Sequence, residues 1–297
     1  MHPEIFSDES HEEFISAVRT QIGPTISSLV TDHDCLRFLR ARQGDVTQAT
    51  AMLRRWHEWR HTLLEPSTPT GLPYSPNIIL FAPDVVETHP QAYLLECAHY
   101  GFGRNGEPIY WEKTGKIQSQ FSEIRQYFTK TQLLHYHISS NEVMAIRMAY
   151  ATATYQRPVH QAIVIFDMKG LTFHLHRDTI WYVQQMLTVD NHFYPERLAH
   201  MVIINCPWYF STLYNLFQPL IDTRTKQKIT ILGDNYLSTL LVYMDMDHIP
   251  TEYGGTGVEV GWDWKYQDNT GASVAQIGAY MENRWGVRVG LVCFIEL

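Results

Sequence analysis

Ala162-Ile163-Val164-Ile165-Phe166-Asp167 decides the fold. This short, uninterrupted apolar run, rich in β-branched side chains and closing on a carboxylate, reads as a strand covered on both faces. Such strands belong to parallel sheets, whose crossover connections lay helices over them. The pattern then repeats. Helical spacing from about Asp178 to Asp190 leads into a second apolar strand, Met201 to Asn205. A helix from about Tyr209 to Leu220, a strand from Lys228 to Leu232 and a helix from Leu237 to Met244 follow. That alternation predicts right-handed βαβ crossovers and an α/β fold with a mostly parallel sheet.

Upstream, Phe128 to Tyr155 reads as one long helix. Tyr93 to Tyr100 and Pro108 to Glu112 read as strands around the turn Arg104-Asn105-Gly106-Glu107. Nearer the start, Asp32 to Arg42 carries a helical stripe of Cys35, Leu36, Phe38 and Leu39. Gly44 ends it, and Thr47 is placed to cap a helix bearing Ala49, Met52, Leu53, Trp56 and Trp59. Between Glu65 and Pro76, Pro66, Pro69, Gly71, Pro73 and Pro76 predict a linker. The expected organisation is an N-terminal helical module (1–75), a main domain (76–260) and a C-terminal tail (261–297) with no assigned structure.

Composition narrows the function. The 297 residues suffice for a substantial core. A formal net charge of −8 excludes a general nucleic-acid binder, which needs a basic footprint. Cys35, Cys97, Cys206 and Cys293 lie far apart without a C-x-x-C pair, so a reducing, cytoplasmic setting is expected rather than a disulfide framework or zinc ribbon. Met1-His2-Pro3-Glu4 opens without the basic and apolar regions of a signal peptide. No apolar run approaches the ~20 residues of a membrane span, so membrane contact would be peripheral.

Several motifs dissolve in context. Gly101-Phe102-Gly103-Arg104-Asn105-Gly106 spells the dinucleotide fingerprint, but it leads into Glu107-Pro108-Ile109-Tyr110-Trp111, a strand start, where that motif must open a helix. It reads as a hairpin turn. His135-Tyr136-His137 and His174-Leu175-His176 lack a third ligand, so no metal site is expected. No G-x-S-x-G elbow supplies a nucleophile. The residues point to no enzyme and no catalytic group.

Two features remain. Trp208, Phe210, Leu213, Leu216, Phe217 and Leu220 make the helix near Tyr209 to Leu220 heavily apolar. It is either an ordinary core helix or a lid over an apolar cavity that meets a bilayer when it opens. Glu196 precedes one apolar strand, and Thr225 and Lys228 introduce another. Charge set beside a cavity wall is costly unless paired or liganded, so these are structural pairs or ligand contacts.

The ordered set of segments resembles the CRAL-TRIO lipid-binding family. It comprises Asp34 to Arg42 with Asp45-Val46 and Trp59-Arg60; Gly106 to Glu112 with Gly115-Lys116; and Phe166-Asp167-Met168-Lys169-Gly170. It continues with Tyr194 to Leu198, Ile204 to Trp208 with Phe210, Ile231-Leu232-Gly233, Ile249-Pro250 and Tyr253 to Thr256. The resemblance is strongest to the branch of phosphatidylinositol/phosphatidylcholine transfer proteins. It implies a lipid pocket floored by the sheet, flanked by helices and closed by a gating helix, here the lid reading. It places the phosphatidylinositol headgroup on Arg42, Glu196, Thr225 and Lys228. It implies no cofactor beyond a bound lipid. The partners it implies are a phospholipid, a transiently visited membrane surface and lipid kinases, with the chain monomeric. One departure stands out. The branch contacts choline phospholipid through two hydroxyl residues on the strand before D-x-x-G, where this chain has Ala162 and Val164. The second lipid therefore stays open, with a sterol or tocopherol-like molecule as alternatives, beside a non-transferring regulatory module.

Overall fold

The computed structural model describes residues 8–63 and 90–257. The predicted linker, the tail from Val258 to Leu297 and the domain boundaries placed in them lie outside the described residues. The described residues fall into two compact units, 8–63 with Thr188–Arg197, and 90–187 with 198–257.

The first unit is helical: α1 (Asp8–Ile22), α2 (Pro24–Ser27), α3 (Asp32–Ala41) and α4 (Val46–Leu63). Val18, Phe38, Leu39, Leu53 and Trp56 form its core. Thr31 opens α3 with a capping box shared with Asp34, which satisfies two otherwise orphaned amides. Gly44, at φ +87°, ends the turn after α3, its amide donating to the Leu39 carbonyl at 2.9 Å. The cap of α4 is Asp45 and not Thr47. A cap must sit just outside the first helical residue, and Thr47 already lies in the first turn. The Asp45 carboxylate instead accepts from the Gln48 amide at 2.9 Å. Asp45→Ala should lower the unfolding free energy of this unit by about 1 kcal/mol, while Thr47→Ala changes it little, read by urea unfolding.

Arg37 is only 1% exposed, and its guanidinium lies over the rings of Phe38 and Trp56. Its Nε donates to Asp34 at 2.9 Å. Burial alone would raise the Asp34 carboxyl, but the charges of Arg37 and Arg197 outweigh it and hold the group well below the usual carboxylate range. Asp34 thus binds a proton less readily folded than unfolded. Its stabilisation is complete above about pH 4 and fades as pH falls toward the folded value. Between about pH 4 and pH 2, wild type should therefore lose more stability than Asp34→Asn in an acid-unfolding series.

The second unit holds a five-stranded sheet in the order β1 (Cys97–Phe102), β2 (Pro108–Glu112), β3 (Ala162–Asp167), β4 (Leu198–Ile204) and β5 (Ile229–Ile231). Only the β1–β2 pair is antiparallel. The glycine-rich stretch is indeed its hairpin, with the Gly103 amide donating to the Glu107 carbonyl at 2.7 Å. The first strand starts at Cys97, later than the apolar run suggests. Ala92–Leu94 forms a 3-10 turn because Leu94 and Leu95 both pack against Phe121, Ile124 and Phe128. The helices of this unit are α5 (Thr114–Ser119), α6 (Phe121–Tyr127), α7 (Lys130–Tyr155), α9 (Phe210–Phe217), α10 (Thr223–Lys226) and α11 (Leu237–Tyr243). Between α7 and α9, α8 (Arg177–Phe193) runs from this unit into the segment assigned to the helical one. Thr129 caps α7 with a second capping box.

The strand register sorts side chains onto two faces, since alternate residues point opposite ways. One face carries Trp111, Ile165 and Val202, with Ile109 and Ile163 in the next row, and packs against Leu240 of α11 and Met244 just beyond its end. It is solid core: Ile163 is 1% exposed, and Ile165, Val202 and Ile204 are 0%. The other face carries two rows across the sheet. His99, Tyr110, Val164, Met201 and Ile229 form one, and Cys97, Glu112, Phe166, Ile203 and Ile231 the other.

Candidate functional site

The second face is the candidate site. Val164 and Phe166 sit mid-sheet, on the same strand as Ile163 and Ile165, yet they are only half-buried, as are Met201 and Ile229 on β4 and at the start of β5. Interiors pack to crystal-like density, so apolar side chains left partly exposed at the centre of a helix-covered sheet mean looser cover above them. The floor divides chemically. Its β3–β5 half is apolar. Its β1–β2 half is polar and lies under α7, where Tyr136 pairs with the Cys97 thiol at 2.6 Å and Ser140 with His99 Nε2 at 3.2 Å. Tyr110 and Thr114 donate to the two oxygens of Glu112 at 2.9 and 2.8 Å. Desolvation raises the Glu112 carboxyl and lowers His99 well below its usual range. This end of the floor therefore favours uncharged forms. Ala162 is buried against Met144, Met148 and Tyr110, and Val164 lies between Tyr110 and Met201 in the register.

Over the apolar half lies α9. Phe210 is buried in a cluster with Met168 and Ile203, with Tyr214 one turn later at its edge. Leu213 and Phe217 are half-buried. Trp208, at 92% exposed, together with Leu216 and Leu220, faces outward. The predicted helix is shorter than its apolar run, since Gln218–Leu220 tightens into a 3-10 turn at Pro219. Apolar composition alone identified this helix. Of the floor, the sequence singles out only Ala162 and Val164, through the family resemblance; Tyr214, Phe166, Met201 and Ile229 carry no such signal, because an all-apolar strand has no alternation to say which side chains face which way.

The four predicted headgroup residues fall on different units. Thr225 and Lys228 share one turn of the sheet unit. Asp222 caps α10 by accepting from the Arg224 and Thr225 amides, and it also accepts from the Thr225 hydroxyl. The Lys228 amide then donates to the Thr225 carbonyl, and its ammonium donates to the Leu198 carbonyl at 2.6 Å. Lys228 is half-buried, with the Asp222 carboxylate in its electrostatic field. Arg42 and Glu196 belong to the helical unit. Arg42 is the C-cap of α3 and donates to the Ala41 carbonyl at 3.0 Å, while Glu196 adopts a left-handed φ of +59°.

Among the described residues no group of three or more His, Cys, Asp or Glu could hold a metal, and no helix is long and apolar enough to cross a membrane. A mostly parallel sheet with one sealed face, one partly exposed face and an apolar helix packed on that second face defines the class, an α/β protein with an asymmetrically covered sheet. Residues 96–255, more than half the chain, match the family described as CRAL/TRIO domain, and the chain belongs to that family. It is 27% identical over 251 residues to the SEC14 cytosolic factor of Candida glabrata, covering 84% of this chain and 79% of that one. It is 29% identical over 230 residues to the Arabidopsis thaliana phosphatidylinositol/phosphatidylcholine transfer protein SFH7, covering 75% of this chain and 39% of that longer one. The crystal structure of Sfh5 superposes with a TM-score of 0.66 over 94% of this chain and 98% of that one; at 14% identity it attests the fold.

Proposed function

We propose that this chain binds a phospholipid and transfers it between membranes, with phosphatidylinositol as its principal ligand and no chemical change to the cargo. The observation that carries this reading is the burial asymmetry of β3, sealed at Ile163 and Ile165 and open at Val164 and Phe166. Acyl chains laid on the open face would each gain about 0.8 kcal/mol per buried methylene, enough to hold a lipid monomer out of water. In this reading α9 is the lid, and Trp208, Leu216 and Leu220 are its membrane-facing contacts, exposed side chains whose burial in a bilayer lowers the cost of opening. Thr225 and Lys228 contact the inositol phosphate, the ammonium taking the phosphodiester and the hydroxyl an inositol oxygen. The family pattern also assigns Arg42 and Glu196, on the helical unit, to headgroup recognition. Relatives named for phosphatidylinositol and phosphatidylcholine transfer, and others named cytosolic factors, support a cytoplasmic carrier that visits membranes transiently.

Lipid extracted from the purified chain and weighed by mass spectrometry tests this directly. An inositol phospholipid near one per chain is expected, and its absence with a neutral lipid in its place would replace this reading. The specific observation favouring a neutral lipid as second ligand is Ala162 and Val164, which leave the strand beside Tyr110 without a hydrogen-bond donor.

A further inference from the structure

The D-x-x-G segment at the end of β3 does more than close a strand. The Asp167 carboxylate is 5% exposed and fully engaged. One oxygen accepts from the Lys169 amide at 2.9 Å and from Asn205 Nδ2 at 2.7 Å; the other accepts from the Tyr253 hydroxyl at 3.1 Å. Tyr253 is itself fixed by stacking on Trp111 at 5.1 Å. Asn205 sits at φ +54°, a left-handed conformation that asparagine accepts more readily than most L residues, and it makes the bend there. Its backbone and that of Cys206 are pinned to Gly233 and Leu232. Four residues after this bend, at its N-cap Tyr209, the chain enters α9. Three residues past Asp167, Gly170 turns the loop at φ +85°, so that the Leu171 carbonyl accepts from the Tyr209 hydroxyl at 2.5 Å. Phe173 then meets the Tyr209 ring edge to face at 5.7 Å.

The loop Asp167–Phe173 thus holds the run into α9 at two points, Asn205 at the end of β4 and Tyr209 at the N-cap of the helix. The far end of α9 runs instead into the 3-10 turn Gln218–Leu220, which is exposed. We infer that Asp167 is the positioning residue of the lid pivot: it sets how fast α9 opens, and the headgroup residues set which lipid enters. The inference rests on the lid reading proposed above.

Transfer of pyrene-labelled phosphatidylinositol from phosphatidylcholine donor vesicles to unlabelled acceptors tests it, read beside hydrogen exchange of the lid amides. Asp167→Asn keeps the shape but turns a donor toward Tyr253, and Tyr209→Phe removes only the second tether. Both should change the transfer rate at least threefold and raise exchange across 205–213. Exchange in β3 and β4 should stay unchanged, as should the ratio of phosphatidylinositol to second lipid bound at equilibrium. Should Asp167→Asn loosen sheet and lid amides alike, or alter the lipid ratio, Asp167 would be a structural or selective residue and the inference falls. A wild-type rate in both variants would also overturn it, leaving the lid reading intact. A wild-type protein that transfers nothing sinks the lid reading and the pivot with it.

Discussion

Val164→Trp should fold normally and co-purify without lipid, whereas Ile165→Trp, one residue along the same strand, should fail to give a stable sheet unit. The two substitutions are chemically similar and differ only in the face they enlarge. Ile165 is sealed between Trp111, Val202 and the residues of α11, where even an extra methylene or two costs about 1–3 kcal/mol through forced rotamers and backbone shifts. An indole there exceeds that, against a whole-domain stability of about 5–15 kcal/mol. Val164 is half-buried on the open face, so a Trp can extend over Met201 and Tyr110 into the space that acyl chains would fill. Thermal unfolding by circular dichroism with mass spectrometry of extracted lipid separates the outcomes. If Val164→Trp melts as early as Ile165→Trp, both faces are packed and the cavity does not exist.

Lys228→Ala should cut phosphatidylinositol transfer by about tenfold to a hundredfold and leave transfer of a second lipid within about twofold. A hydrogen bond to a charged partner contributes about 1.5–3 kcal/mol, and each 1.4 kcal/mol is a factor of ten. The same ammonium donates to the Leu198 carbonyl, so a smaller loss of stability, about 1 kcal/mol, accompanies the change. Lys228→Arg provides the control, since it keeps the charge but not the compact ammonium geometry. Equal loss of both lipids in the folded Ala variant would remove Lys228 from headgroup selection and leave it a structural residue.

How much of this was legible beforehand depended on whether local chemistry or remote packing decides the feature. The β3 and β4 runs announced buried parallel strands because only a sheet covered on both sides tolerates such sequences. They could not reveal that one cover is tight and the other loose, since Val164 and Ile165 are near-equivalent as residues. That difference is set by α11 on one side and α7 with α9 on the other. The hairpin at Gly101–Gly106 was readable because a strand start follows it. The α4 cap was misplaced because Asp45 and Thr47 both suit a cap, and only the first helical residue discriminates. Thr225 and Lys228 fall on one turn, as a spacing of three suggests. The Asp167–Asn205–Tyr253 contact spans 86 residues, and no local pattern could have announced it.

The sealed side of the sheet has a bearing on life without cargo. Trp111, Ile165, Val202 and Leu240 hold one another whether or not anything occupies the opposite side. Unloading therefore removes only the ligand's own mass-action contribution to stability, not the framework. A carrier built this way can travel home empty, intact and ready to reload, with no need to unravel between deliveries.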